Sequence, residues 1–341
     1  MSTQTQVPNS NGKQETTFLQ LTGKKPYPQY LTYEKASRHP SLLSQEYPRP
    51  MFQPSENYYP VNSLLEPYFS SKDESRKFGA ANFCGFLEDT IEVEHCIVIP
   101  AISSLRRLPY NLPLHAVQDL NKTVTDEGFH AEQASQFAAD LRSHFGLIRA
   151  EEFRTPLFIR RLEHQRSLEP DPVYRDLITV LNGVVTETRI SIELSKFARD
   201  EFLAKPVRDV CHTHSEDETI HGSQFRALGE WLWGEFDETT RYAAAGFLNA
   251  STIARSMPDV ERLAYFLHQA TGRPHLECKR HVFEVYNEDV LIDQMYFAAR
   301  PTELFLRRLG VNEYVPFSLA LEQERERLGS ELATRRKELE G

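Results

Sequence analysis

From about residue 72 onward, apolar residues recur every three or four positions, and prolines fall between long uninterrupted stretches. That period marks amphipathic helices. In 72–99 the stripe is Ala80, Phe83, Leu87, Ile91, Glu94, Val98 and Ala101, and Pro100 predicts the helix end. A second helix is expected over 113–145, with Leu120, Val124, Glu127, His130, Ala131, Ala134 and Phe137 on one face and Gly146 as its stop. Asp171-Pro172 reads as an N-cap and first turn. It opens a helix over 172–203 that carries Val180, Gly183, Val184, Glu187, Ile190, Ser191 and Leu194 on one stripe. A fourth helix, 206–233, turns Cys211, His214, Glu218, His221 and Phe225 inward.

Further helices are expected over 237–250, 258–271, 275–299 and 301–309, with a charged tail helix over 318–340. The stretch 147–170 reads as an arginine-rich connection with room for one short helix. No segment alternates as a strand would. The fold class implied is all-α: a ferritin-like four-helix bundle with additional C-terminal helices, occupying 71–310. A polar tail and irregular arm over 1–70 precede it and a charged tail over 311–341 follows. In the arm, prolines at 26, 28, 40, 48, 50, 54, 60 and 67 forbid a long helix. Tyr27, Tyr30, Tyr33, Tyr47, Tyr58, Tyr59 and Tyr68 are interleaved with them, which suits a strap packed on the bundle or a partner-recognising arm.

Composition narrows the function. A net charge of −10 argues against general nucleic-acid binding. No apolar run is long enough to span a bilayer, and the polar N-terminus has no signal-peptide core. Cys84, Cys96, Cys211 and Cys278 show neither zinc nor disulfide spacing. The expectation is a cytoplasmic protein without membrane contact.

The chemistry lies in a repeated motif. Asp126-Glu127-Gly-Phe-His130 and Asp217-Glu218-Thr-Ile-His221 both read Asp-Glu-x-x-His. A Glu and His at i, i+3 on each of two helices, with one inward Glu from each of two others, is the way a four-helix bundle holds two metal ions. Glu94 and Glu187 supply the lone acids: each sits in an apolar stripe, where a carboxylate is costly unless a cation neutralises it. Glu92, which forms a third Glu-x-x-His with His95, competes with Glu94 for this role. His214 lies one turn before Glu218 on the same face and is a seventh candidate ligand, whereas His212 is off that face. Asp126 and Asp217 are placed to accept an N–H from a ligand histidine across the bundle. Oxygen and imidazole donors without thiolate suit iron or manganese.

At these residues the sequence resembles the di-iron N-oxygenases typified by p-aminobenzoate N-oxygenase. The resemblance rests on the run from His214 through His221 to Gly222, on Asp126 to His130, on Val185-Thr-Glu187-Thr, and on Glu94 lying six residues before Pro100. It covers about 70–310. It implies a homodimeric enzyme with two oxygen-bridged iron ions that uses O2 and an external electron donor, either a protein or a reductant. The reaction implied takes an amine to a hydroxylamine, nitroso or nitro product in natural-product biosynthesis. Where aryl-carboxylate members place a basic residue, this chain has Asp293 and Gln294, with Arg300 further on. Gln294 and Arg300 are the candidate substrate contacts, and an amine free or tethered to a carrier protein both fit. Two other classes use the same metal set: di-iron hydroxylases or desaturases acting on carbon, and ferritin-like metal stores.

Overall fold

The computed structural model describes residues 53, 55–59 and 63–340. Among them there is no strand, and the chain is an all-α helical bundle. The elements are α1 (Lys72–Val93), α2 (Ile99–Ser104), α3 (Leu114–Phe145), α4 (Leu157–Ser167), α5 (Pro172–Arg199), α6 (Lys205–Glu235), α7 (Glu238–Ser256), α8 (Val260–Thr271), α9 (His275–Val285), α10 (Glu288–Leu309) and α11 (Phe317–Glu340). The core pairs α1 with α3 and α5 with α6, and α7 to α11 pack around that nucleus. One apolar core runs through it, with Phe78, Phe83, Leu120, Leu141, Ile178, Leu194 and Phe225 fully buried. No helix among the described residues is long and apolar enough to cross a membrane.

Local chemistry sets the helix ends. Ser71 caps α1 by accepting from Glu74 N, while the Glu74 carboxylate reaches back to Ser70 N. Asp171 caps α5 as expected, accepting from Val173 N at 2.7 Å with Pro172 in the first turn. Gly146 ends α3 at φ 62°, the left-handed conformation that glycine adopts without strain.

Two expected boundaries are wrong. Pro100 does not close the first helix. Residues Glu94–Val98 form a single π turn, and α2 continues to Ser104 with Pro100 in its first turn. In that turn Ile99 N donates to Glu94 O, five residues back. The wider turn makes room for a ring that would otherwise clash with the carbonyl four residues before it. The second error is the division of 275–309. The break falls at Tyr286–Asn287, where Asn287 caps α10 by accepting from Val290 N, and α10 runs through Pro301. Pro301 forfeits one backbone bond, and the burial of Ala299, Thr302, Phe305 and Leu306 around it holds the helix together.

Tyr27, Tyr30, Tyr33 and Tyr47 lie outside the described residues. The tyrosines within them pack on the bundle. Tyr58 meets Phe145 edge-on, Tyr59 meets Phe197, and Tyr68 stacks on His281 with Arg273 over its ring. The tail helix α11 docks on the chain's own surface through buried Leu328 and Leu332 and an Arg161–Glu324 ion pair.

Candidate metal centre

The four core helices aim their acids and imidazoles at one point. Glu94 comes from the π turn after α1, Glu127 and His130 from α3, Glu187 from α5, and His214, Glu218 and His221 from α6. All seven are buried, and the four glutamates are completely so. Their donor atoms fall into three overlapping groups, each within 4.8 Å: Glu94, His130, His214 and Glu218; Glu127, His130, Glu218 and His221; and Glu94, Glu127 and Glu187. Glu127 and Glu218 share the second group with both motif histidines. This is the arrangement of two carboxylates between two ions. Glu92, the competing acid, turns away to accept from Cys96 Sγ, and its companion His95 is exposed. His212 is exposed as well.

The close approach of α5 and α6 here depends on Gly222. A Cβ on it would lie 2.8 Å from the Glu187 carbonyl. At Gly183 of α5 the space is taken by neighbours: an added Cβ would meet Ala101 and Phe225.

The contacts within the cluster are compatible with ligands around a shared cation. His221 Nδ1 and Glu127 Oε1 approach to 2.9 Å, yet both atoms lack a hydrogen-bond partner. Both oxygens of Glu94, both of Glu187 and Oε2 of Glu218 are also buried without a partner. Ionised carboxylates left in this state would cost several kcal/mol each, of the order known for a buried unpaired charge. Divalent or trivalent ions remove that cost. The donor set therefore fits two iron ions.

The second ring nitrogens are held crosswise. His221 Nε2 lies 3.2 Å from Asp126 Oδ2, and His130 Nε2 lies 3.4 Å from Asp217 Oδ2. Each aspartate thus serves the histidine of the other motif. The Nδ1 atoms face inward: that of His130 is 2.9 Å from Glu127 Oε2 and 3.2 Å from Glu218 Oε1. His214 joins the same side, with Nε2 2.9 Å from Glu218 Oε1 and 3.8 Å from Glu94 Oε1.

Electrostatics follow from this crowding. Burial raises the Glu94 and Glu187 carboxyls well above their usual range, and the neighbouring carboxylates push the same way. Burial would also raise Glu127, but His221 and its other neighbours outweigh it and hold that carboxyl at about 2. Glu218 is held low by the neighbouring rings of His130, His214 and His221 despite its burial. Burial opposes charge on His130 and His221, but the carboxylates around them prevail and raise both. His214 is lowered, first by burial and then by His130. It is a neutral imidazole, the form that binds a metal.

Comparison of the sequence with protein-family models and with curated proteins finds no match.

A cavity of about 450 Å³ lies between α1, α5, α7 and α8, and none of the seven candidate ligands lines it. Thr90, Val93 and Ile190 in its wall stand within a turn of Glu94 and Glu187. Gln294 lines this cavity. Arg300 does not reach it but pairs with Glu303 at the surface. The charged wall was not anticipated: Asp89, Arg189, Glu193, Arg255 and Arg262 all face the cavity. One signal for it was available. Arg189 and Glu193 are i, i+4 charges on α5 two and six positions after Glu187, in a helix otherwise apolar or small at its centre.

Proposed function

We propose that this protein is a non-haem di-iron oxygenase that oxidises an amine with O2, as the di-iron N-oxygenases typified by p-aminobenzoate N-oxygenase do. The observation that carries the reading is the third imidazole. Six residues complete the ordinary bundle set, and His214 reaches the same carboxylate as His130 from one turn earlier on α6.

Two iron ions would supply the activation of oxygen. The chain's own residues do the rest. Glu94, Glu127, Glu187 and Glu218 hold the ions and neutralise their charge. His130, His214 and His221 supply neutral nitrogen donors, and Asp126 and Asp217 fix two of those rings by accepting at Nε2. The cavity lined by Thr90, Val93 and Ile190 is the nearest place for an amine, with Val93 next to Glu94 and Ile190 one turn after Glu187 in the chain. Buried Val93, Ile190 and Val98 keep water from the approach. Electrons come from an external donor, and the working form is a homodimer. Product formation takes place on a free or carrier-bound amine.

The test is mass spectrometry of products formed when the reduced, iron-loaded protein meets oxygen and a panel of free and carrier-bound amines. Hydroxylamine, nitroso or nitro products support the reading. Oxidation at carbon alone, across the whole panel, replaces it with a hydroxylase.

A further inference from the structure

The cavity lined by Thr90, Val93 and Ile190 adjoins a second chamber of about 440 Å³ along α1. The two share Tyr59, Phe86, Asp89, Pro258, Asp259, Arg262 and Gln294 as walls. From Val93 at the inner end to Phe78 at the outer end, α1 runs about 22 Å at its rise of 1.5 Å per residue.

The chambers differ in chemistry. Beyond the shared walls, the outer one is lined by Leu65, Phe78, Leu263, Phe266 and Tyr286, with Asn82 its one further polar side chain. The inner one is charged, and most of its charges are spent on each other. Arg262 donates both terminal nitrogens to Asp89. Arg189 donates to Glu193, to Arg255 O and to Ser256 Oγ. Arg255 is the guanidinium left over. It lies 4.3 Å over the Phe158 ring, forms no ion pair among the described residues, and its Nε is buried without a partner. This half-buried guanidinium lies near Glu193 without pairing with it, and its open donors suit an anionic group.

We propose that the two chambers hold one elongated, amphiphilic amine: a carboxylate beside its amine meets Arg255, and its apolar body lies in the aromatic chamber. The proposal rests on the reading of the neighbouring centre as amine-oxidising, since that is what gives the polar end its amine. The Asp89–Arg262 pair forms the waist between the two parts. An apolar body gains from the outer chamber in proportion to the surface it buries there, so length is selected, whereas a small amino acid would leave that chamber empty.

Binding tests this without any oxidation. Decanoate carries the carboxylate and the apolar body, butyrate the carboxylate alone, and decylamine the apolar body with the wrong head. Each is titrated calorimetrically into the full-length protein, as purified and after chelation of metal. Decanoate is expected to bind at least about tenfold more tightly than butyrate, the difference supplied by the buried methylenes. Leu263→Trp, which fills the outer chamber, should remove that advantage and leave butyrate unchanged. Asn82→Phe fills the same chamber from α1 should the first variant not fold. Arg255→Met should weaken decanoate about tenfold, the loss of a charge-assisted contact, with no effect on decylamine. Equal affinity for decanoate and butyrate, or decanoate binding indifferent to Arg255→Met, overturns the proposal. A failed titration leaves amine oxidation standing, and an absence of amine oxidation leaves the titration standing.

Discussion

Asp126 Oδ2 lies 3.2 Å from His221 Nε2, although the two belong to different copies of the same motif on different helices. Asp217 and His130 repeat the relationship in the other direction at 3.4 Å. Each Asp-Glu-x-x-His therefore finishes the other, and the acid before each ligand glutamate ties α3 to α6. Replacing Asp126 by Asn keeps the shape but removes the charge that fixes the ring. Iron affinity is expected to fall between about tenfold and about a hundredfold, as for other outer partners of ligand histidines. Asp217→Asn should cost less, because its side chain is 16% exposed and its contact is longer. Competition with a chelator measures both. Unchanged affinity in Asp126→Asn would show that the ring needs no such support.

Glu127 and Glu218 stand between the motif histidines. Glu127→Ala or Glu218→Ala removes a carboxylate that two ions would share, so each variant should lose most of its iron. Wild type should hold about two ions per chain, the number this ligand set accommodates. Metal analysis of the purified variants decides. Full iron retention in both would falsify the assignment.

Much of this centre was legible in the sequence, because helical periodicity maps directly onto faces. The stripe that placed Glu94 among Phe83, Leu87 and Val98 also placed it in the cluster, ahead of Glu92. Periodicity failed where the backbone left the α geometry. The π turn at Glu94–Val98 has no signature in hydrophobic spacing, so Pro100 read as a stop. It also failed for charges satisfied at long range. Glu88 is buried against Arg142 of α3, and Asp89 is paired with Arg262 of α8. Such partners are distant in sequence and no local rule finds them. The cavity's arginines were missed for the same reason.

The pH dependence of the metal-free protein follows from the shifted groups. Glu94 and Glu187, raised above the ordinary 4.5, ionise less readily folded than unfolded, so folding loses stability as pH rises past that value. His130 and His221 are raised above 6.5, and their contribution, full below that pH, is lost as pH climbs through their folded values. Glu127, held at about 2, and Glu218 act oppositely: their contribution is present above 4.5 and lost as pH falls through their depressed values. The melting temperature of chelated protein should therefore fall from pH 5 to pH 8 in this range of about three units. Iron, which binds the ionised carboxylates, should flatten or reverse that slope. A chelated protein that gains stability across this range contradicts the sign.

Gly222 tests the helix contact that sets Glu187. An added Cβ would press on the Glu187 carbonyl at 2.8 Å, and backbone cannot swing aside as a side chain can. Gly222→Ala should destabilise by about 2 kcal/mol, the usual cost of overpacking. It should also lower iron content by pushing α5 away. Gly234→Ala on the same helix, where an added Cβ meets nothing within 4 Å, is the control and should be neutral or slightly stabilising. Denaturant melts of the two variants give the comparison.

On the proposed function, His214 is the residue that separates nitrogen from carbon oxidation. Its ring lies 3.9 Å from that of His130, and its Nε2 is 2.9 Å from Glu218 Oε1. Removing it leaves the other six candidate ligands, four of them on α3 and α6 in the paired motif. The fold and most of the iron should survive, with a cavity left on α6 costing about 2–4 kcal/mol, in the range of large-to-small core changes. What should be lost is the third nitrogen donor, and with it the tuning of the iron on that side. His214→Ala is therefore expected to keep close to two ions per chain but to oxidise amines at under about a tenth of the wild-type rate, a difference of about 1.4 kcal/mol or more in the barrier. Single-turnover product analysis, with iron content measured on the same samples, separates loss of chemistry from loss of metal. Amine oxidation at the wild-type rate in an iron-replete His214→Ala would make His214 a packed core histidine. The metal set would then favour a carbon substrate as readily as an amine.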